Sequence, residues 1–454
     1  MFLKKASIVT AVAAAALATT VSAVSAASDP ATKAIEVVST AYTINGVSAN
    51  IHTFVANGKT QASLWELSGK LGASVDARSD GYTVTLNGNS LDLKLNENVT
   101  KVAGKPYVEL VSFVQTLGAL IESDATGATW IDAQLLGSVD RVQWLDGNRL
   151  IASQDTEEGR VDYLVNAKLG SYVKLSLAAG ASDLVVAPNG HVAAYTNDAG
   201  EIYLIELNSR LTFKVSADTN IKPELVWSSD SKTIYFLQGD KATVVAKLDL
   251  ELEKISTVFD DKVEYKANLG VSTDGKTFTY TVTKPGAVVA DANKPVENDD
   301  VTIDTKNTEP QVFAYTVDPS VKDNKAVQLT STATNKVFFA PAADGSSVTF
   351  VNVGADDAAV STLVSVAKDK TVKTVFDKAD IYEATQSGGN LILLTAGEGD
   401  KQAIYEVDAA GNSKLLYTVS ADVTDVIAKN GALAIVDNGR VFVNVDGHWK
   451  PTTN

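Results

Sequence analysis

From about residue 138 onward, turn signals of the Asp-Gly and Asn-Gly kind recur along the chain at nearly constant spacing. Taking the second turn residue as an anchor gives Gly147, Gly190, Ser231, Gly275, Gly345, Gly389 and Gly431, at intervals of 43, 41, 44, 70, 44 and 42 residues. A fixed period of this length constrains the fold strongly, because a unit so small cannot bury its own apolar face and must stack on copies of itself. Each anchor lies between two short runs rich in β-branched and aromatic residues, such as Leu225-Val226-Trp227 before the turn and Ile234-Tyr235-Phe236 after it. A third run often follows, as at 202–207, 312–317 and 403–407. Several strands in each 40 to 45 residues is the pattern of β-propeller blades, and seven anchors predict seven blades over residues 138–450. Trp227, Tyr235 and Phe236 are expected in the blade core.

The 70-residue interval exceeds its neighbours by about 26 residues, which places an insertion at residues 284–310. This stretch holds Pro285, Pro295 and Pro310 among many Asp, Asn and Lys residues, a composition expected to form no ladder and to leave one face of the fourth blade. A solvated excursion is the simpler reading, and a partner-binding loop the functional one. The run Trp227-Ser228-Ser229-Asp230-Ser231-Lys232-Thr233-Ile234-Tyr235-Phe236 resembles the repeat of TolB-type propellers, with Ser229 and Ser231 where that repeat has Pro and Gly.

A second, shorter repeat precedes the first. At an offset of 46, Gly58, Lys59, Leu64, Leu71, Gly72, Ala73, Gly81 and Thr83 recur as Gly104, Lys105, Leu110, Leu117, Gly118, Ala119, Gly127 and Thr129. Each copy carries apolar residues at helical spacing, Leu64, Leu67 and Leu71 in one and Leu110, Phe113, Val114 and Leu117 in the other. Gly72 and Gly118 fall where a left-handed helix end is wanted, Ser63 with Glu66 suggests a capping box, and a strand pair should follow each helix. Trp65 and Trp130 are read as core residues. Residues 36–132 thus form a small duplicated α+β domain, and the fold class is mainly β: this domain followed by a propeller.

Through Ile44-Asn45-Gly46, the Asn57-Gly58-Lys59 turn and the two Leu-Gly-Ala helix ends followed by Gly-x-Thr, this stretch resembles the copper amine oxidase N-terminal-like, or stalk, domain of Gram-positive surface proteins. The run opening the first helix, Ala62-Ser63-Leu64-Trp65-Glu66, departs from that family's, so no arginine contact carries over. The resemblance does not bring amine oxidase activity. That chemistry needs three histidine ligands and a tyrosine in an Asn-Tyr motif, whereas this chain has no Asn-Tyr pair and only His52, His191 and His448, in separate segments. Three surface histidines are expected.

Residues 1–26 read as a cleavable leader: Lys4 and Lys5, an apolar small-residue run at 6–24, then Val24-Ser25-Ala26. The expected location is therefore extracellular or cell-wall associated, with no membrane insertion after cleavage. The chain has no cysteine, which removes disulfides, thiolate metal sites and a cysteine nucleophile. Its net charge of −16 repels nucleic acid and anionic membranes.

No Gly-x-Ser-x-Gly elbow, phosphate loop, dinucleotide fingerprint, His-Glu-x-x-His or EF-hand loop occurs. The adjacent acids Asp260-Asp261, Asp299-Asp300 and Asp356-Asp357 read first as solvated turns, with structural calcium or an acid–base pair as the alternatives. No catalytic, cofactor-binding or metal-ligating residue is assigned, and no cofactor is expected. The sequence favours a non-enzymatic binding or scaffold protein, its propeller a platform for an extracellular or cell-wall protein or glycan. Two rivals remain: an extracellular propeller hydrolase or lyase acting on a glycan or lactone, and a structural envelope component.

Overall fold

The backbone uses the repeated turns as the spacing predicts. Gly190, Ser231, Gly275, Gly345, Gly389 and Gly431 all have positive φ, the left-handed region in which the chain reverses between two strands. At Ser231, with φ 60°, the geometry is held by side chains: Ser228 Oγ donates to Asp230 Oδ1 at 2.6 Å, and the same carboxylate accepts Lys232 N at 3.1 Å. Ser272 and Asp274 repeat this arrangement one unit later, at 2.6 Å.

The computed structural model describes residues 35–124, 127–289, 302–304, 308–354 and 359–454, so the leader assigned to residues 1–26 lies outside the described residues. Two compact units result. One holds the described chain up to Val139 together with Val165–Val173 and Val445–Asn454, the other Asp140–Leu164 and Lys174–Asn444.

In the first unit the strands are β1 (Val38–Ile44), β2 (Val47–Ala56), β3 (Lys59–Ser63), β4 (Ser74–Ala77), β5 (Gly81–Leu86), β6 (Asn89–Lys94), β7 (Val99–Val102), β8 (Lys105–Glu109), β9 (Leu120–Ser123) and β10 (Thr129–Asp132). Helix α1 (Leu64–Leu71) follows β3 and α2 (Leu110–Thr116) follows β8. A seven-stranded sheet runs β7-β8-β3-β2-β1-β10-β9, and β4-β5-β6 form a three-stranded one. The duplication is visible as β3-α1-β4-β5 against β8-α2-β9-β10, and both helices bury their leucine face: Leu64, Leu67, Leu110, Phe113 and Val114 share one core with Ile51 and Ile131. Gly72 ends α1 with φ 81° as expected.

The capping box does not form. Ser63 makes no side-chain cap, and Glu66 instead accepts His52 N and meets His52 Nδ1, each at 2.8 Å. The second copy is capped by Glu109, which accepts Val111 N and Ser112 N. Trp65 and Trp130 are also not core: they are 48% and 44% exposed. Trp65 meets the Tyr82 ring in a T-shaped contact at 5.9 Å, and Trp130 pairs in register with Thr43 and Glu122 on the outer face while its neighbour Ile131 takes the core position.

The later repeats form seven four-stranded antiparallel sheets, at 141–174, 185–214, 225–260, 266–328, 335–376, 381–420 and 423–451, each with its strands in chain order. Their first strands lie side by side from the second sheet to the seventh, and that of the seventh lies against that of the first. Gln143 Nε2 closes the remaining joint by donating to Leu184 O at 2.8 Å. Two indoles bridge successive sheets in the same sense: Trp227 Nε1 donates to Val185 O at 2.8 Å, and Trp144 Nε1 to Ile427 O at 3.1 Å. This is a β-propeller, with the first strand of every sheet innermost. Trp227, Tyr235 and Phe236 are buried as expected, and Tyr235 and Phe259 of the third sheet meet Phe278 of the fourth at 5.4 Å.

The insertion carries a ladder after all. Ala287–Val289 pairs antiparallel with Thr302–Asp304, Val288 opposite Ile303, and the β-branched pair Thr302-Ile303 supplies what the proline-rich flanks lack. Residues 290–301 and 305–307 lie outside the described residues.

A buried lysine recurs nine positions ahead of three anchors: Lys222, Lys266 and Lys336. Lys222 Nζ donates to the carbonyls of Gly200, Asp218 and Asn220 at 2.8 to 2.9 Å, and Lys336 Nζ to Thr334 O at 2.7 Å. Lys266 Nζ reaches Thr243 O at 2.6 Å and the Asp261 carboxylate at 2.7 Å. An ammonium taken from water must find several acceptors, and these find them on the loops joining one sheet to the next and, for Lys222 and Lys266, also on a turn within the preceding sheet.

Candidate functional site

The adjacent acids singled out in the sequence do not form a site where the structure describes them. Asp261 is 3% exposed and is consumed by Lys266 and by Tyr280 Oη, which donates to it at 2.5 Å. Burial raises the Tyr280 hydroxyl far above its ordinary value, and the Asp261 charge adds to that. Burial pulls Lys266 down, opposed by Asp261. Asp260 pairs with Lys262. Asp299, Asp300, Asp356 and Asp357 lie outside the described residues. His52, His191 and His448 are all exposed, and among the described residues no group of three or more His, Asp or Glu could hold a metal ion.

Polar groups gather instead on the innermost strands or just before them, six or seven positions ahead of six of the seven anchors: Asp140 and Arg141, Asp183, Glu224, Asn268, Tyr382 and Glu383, Thr424 and Asp425. In a propeller, equivalent positions on the inner strands face the central channel at similar height. On the first two sheets these charges are paired. Arg141 meets Asp155 at 3.1 Å, and Arg160 joins Asp183 at 2.5 Å to Asp162 at 3.1 Å. Glu224 accepts Leu269 N at 2.9 Å across the joint to the fourth sheet. Burial nevertheless pushes its carboxyl up to about 7, against the backbone N–H groups of Leu269 and Asn268.

The inner strands of the fourth to seventh sheets share a local defect. The register breaks between Ala267 and Gly270, Val337 and Phe339, Ile381 and Glu383, and Val423 and Asp425, a β-bulge on each of four consecutive inner strands. Bulges re-aim the side chains beside them and are frequent next to binding sites. Asn268 and Phe338 sit in these bulges with φ of 52° and 50°. For an aromatic residue this backbone is costly, and the fold holds it in place.

Glu383 and Asp425 follow the last two bulges at matched positions, opposite Leu394 and Val436 respectively. Their strands are neighbours. Glu383 is raised above the ordinary carboxyl value first by burial and next by the negative charge of Asp425, with the Ala384 N–H opposing. Asp425 is exposed and accepts Thr424 Oγ1 at 2.8 Å. A carboxyl pushed toward its neutral form beside a second, exposed carboxyl is an arrangement that can donate and accept protons across a bound ligand.

No family model matches the chain, and no curated protein matches it in sequence. Solved structures do resemble it. The tricorn protease shares 11% identity over 82% of this chain and 39% of its own, with a TM-score of 0.43. The β-propeller domain of the Trilobed protease from Pyrococcus furiosus shares 12% over 70% of this chain and 96% of its own, at 0.44. An oligogalacturonate lyase in complex with manganese shares 11% over 73% of this chain and 94% of its own, at 0.46. This chain therefore spans well under half of the tricorn protease, and the likeness is one of fold. The expectation of a non-enzymatic chain is corrected at this point, because enzymes stand among the structures it resembles.

Proposed function

We propose that the chain is an exported propeller protein that binds an uncharged or cationic extracellular glycan at the mouth of its inner strands and cleaves it by acid–base chemistry. The observation that carries this reading is the Glu383–Asp425 pair on adjacent, equally bulged inner strands. A carboxyl that burial shifts toward its protonated form can protonate a glycosidic oxygen, while the neighbouring Asp425 supports the developing positive charge or activates water. The net charge of −16 works against a polyanionic substrate.

Export is supported by Lys4, Lys5 and the apolar run that follows them. The duplicated N-terminal unit, which resembles stalk domains, serves in this reading as a spacer or wall dock. Its exposed Trp65 and Trp130 suit contact with a surface more than packing within a core.

The test is turnover of soluble neutral and amino-sugar oligosaccharides by the purified protein. Glu383→Gln should lower kcat by roughly 100- to 10,000-fold while leaving binding nearly unchanged, and Asp425→Asn should shift the pH optimum downward as Glu383 loses its charged neighbour. Wild-type protein that cleaves none of these glycans, or cleavage indifferent to both substitutions, would refute the assignment.

A further inference from the structure

The bulged inner strands present something besides acid. Tyr382 is itself the bulged residue between Ile381 and Glu383, and it is 53% exposed. Phe338 occupies the equivalent place on the preceding sheet, held at φ 50° and packed against the apolar cluster of Ile381 and Ala384. On the following sheet the place belongs to Thr424, which donates to Asp425. Tyr382, with no ring partner or hydrogen bond among the described residues, directly precedes Glu383, and its strand is the neighbour of the strand that carries Asp425 at the equivalent position.

An aromatic face flanked by carboxylates is a site for a cation: the ring quadrupole attracts positive charge and the carboxylates accept its N–H donors. A pyranose ring stacks on the same face through its C–H groups, so an amino sugar satisfies both halves at once. We infer that the mouth selects glycans bearing a free ammonium, that is, glucosamine-type sugars without the acetyl group, and that Tyr382 is the residue that reads the sugar ring while Asp425 reads the ammonium. This inference rests on the glycan reading of the mouth and narrows it to one substrate class. Acetylation would remove the charge that meets Asp425 and would place a carbonyl acceptor before two acidic groups.

The experiment is calorimetric titration of the full-length protein with a glucosamine hexamer and with its fully N-acetylated counterpart, at low and at moderate salt. The glucosamine hexamer should bind at least about tenfold more tightly and lose affinity as salt rises. Tyr382→Ala should weaken it by about tenfold, with Tyr382→Trp restoring most of the loss and an unchanged melting temperature showing that the exposed position is not structural. Asp425→Asn should erase the preference between the two hexamers. Equal or stronger binding of the acetylated hexamer, or no effect of Tyr382→Ala, would overturn the inference. So would an oligolysine of equal charge binding as tightly and with the same loss in Tyr382→Ala, since the site would then read a cationic peptide. Tight glucosamine binding without cleavage keeps this inference and removes the catalytic proposal. Cleavage that needs Glu383 but is blind to Tyr382 does the reverse.

Discussion

Replacing Lys266 with Met should destabilise the propeller by about 3–5 kcal/mol, read as a lowered midpoint in urea, although a methionine fills most of the same volume. Lys266 is fully buried, and its ammonium is the cation that Asp261 faces. Without it the Asp261 carboxylate keeps only Tyr280 Oη at 2.5 Å and Val263 N at 3.1 Å, neither of which carries charge. The cost comes from an ionised group left inside, so removing that charge as well should recover much of it. Asp261→Asn combined with Lys266→Met is expected to be more stable than Lys266→Met alone. Lys222→Met should cost less, because its partner Asp218 is part-exposed and water can replace the lost contact. Equal losses at the two positions would show that the lysines act through packing alone.

Trp144→Ala should cost a similar amount, about 3–5 kcal/mol, from loss of a buried indole and the cavity it leaves. Its second consequence is more specific. Trp144 Nε1 donates to Ile427 O, and among the described residues no strand is exchanged between the first and the seventh sheets, so this joint is made by side chains and packing. Trp144→Phe keeps most of the apolar area and removes the hydrogen bond, at about 1 kcal/mol. Hydrogen exchange should then rise first in the inner strands of the first and seventh sheets and last in the third and fourth, where Tyr235, Phe278 and Tyr280 are buried together. Uniform loss of protection would contradict a ring that opens at that seam.

The repeat was legible because turn chemistry is local: a Ser-x-Asp turn or a glycine at positive φ writes itself into four residues, and turns of this kind at intervals of 41 to 44 residues, with one interval of 70, betray the sheets. The polar mouth was legible too, at six and seven positions ahead of the anchors, but a search for adjacent aspartates looks past it. Glu383 and Asp425 are separated by 42 residues and become neighbours only because consecutive sheets place equivalent positions side by side. Asp260 and Asp261, adjacent in sequence, are sent to different partners instead. The buried lysines could have been found by the same alignment to the anchors.

Other features have no local signature. A bulge is a one-residue mismatch between two strands and depends on both, so Tyr382 and Phe338 look like ordinary strand residues in the sequence. The alternation Thr129-Trp130-Ile131-Asp132 fixes that Trp130 and Ile131 face opposite ways, but not which way is inward; the helices covering one face of the sheet decide that. Glu66 looked like a cap because the capping box is a local pattern, and lost that role to His52, which arrives from β2.

The coupling of Glu383 to Asp425 is the point on which the mouth stands or falls, and it can be measured by following the Glu383 side-chain carboxyl through a pH titration by carbon NMR. In the wild-type protein it should titrate above the ordinary glutamate value, because burial and a neighbouring negative charge both favour the protonated form. In Asp425→Asn the midpoint should fall, since one of those two causes has gone. A Glu383 carboxyl that titrates at its ordinary value and does not respond to Asp425→Asn would contradict the account.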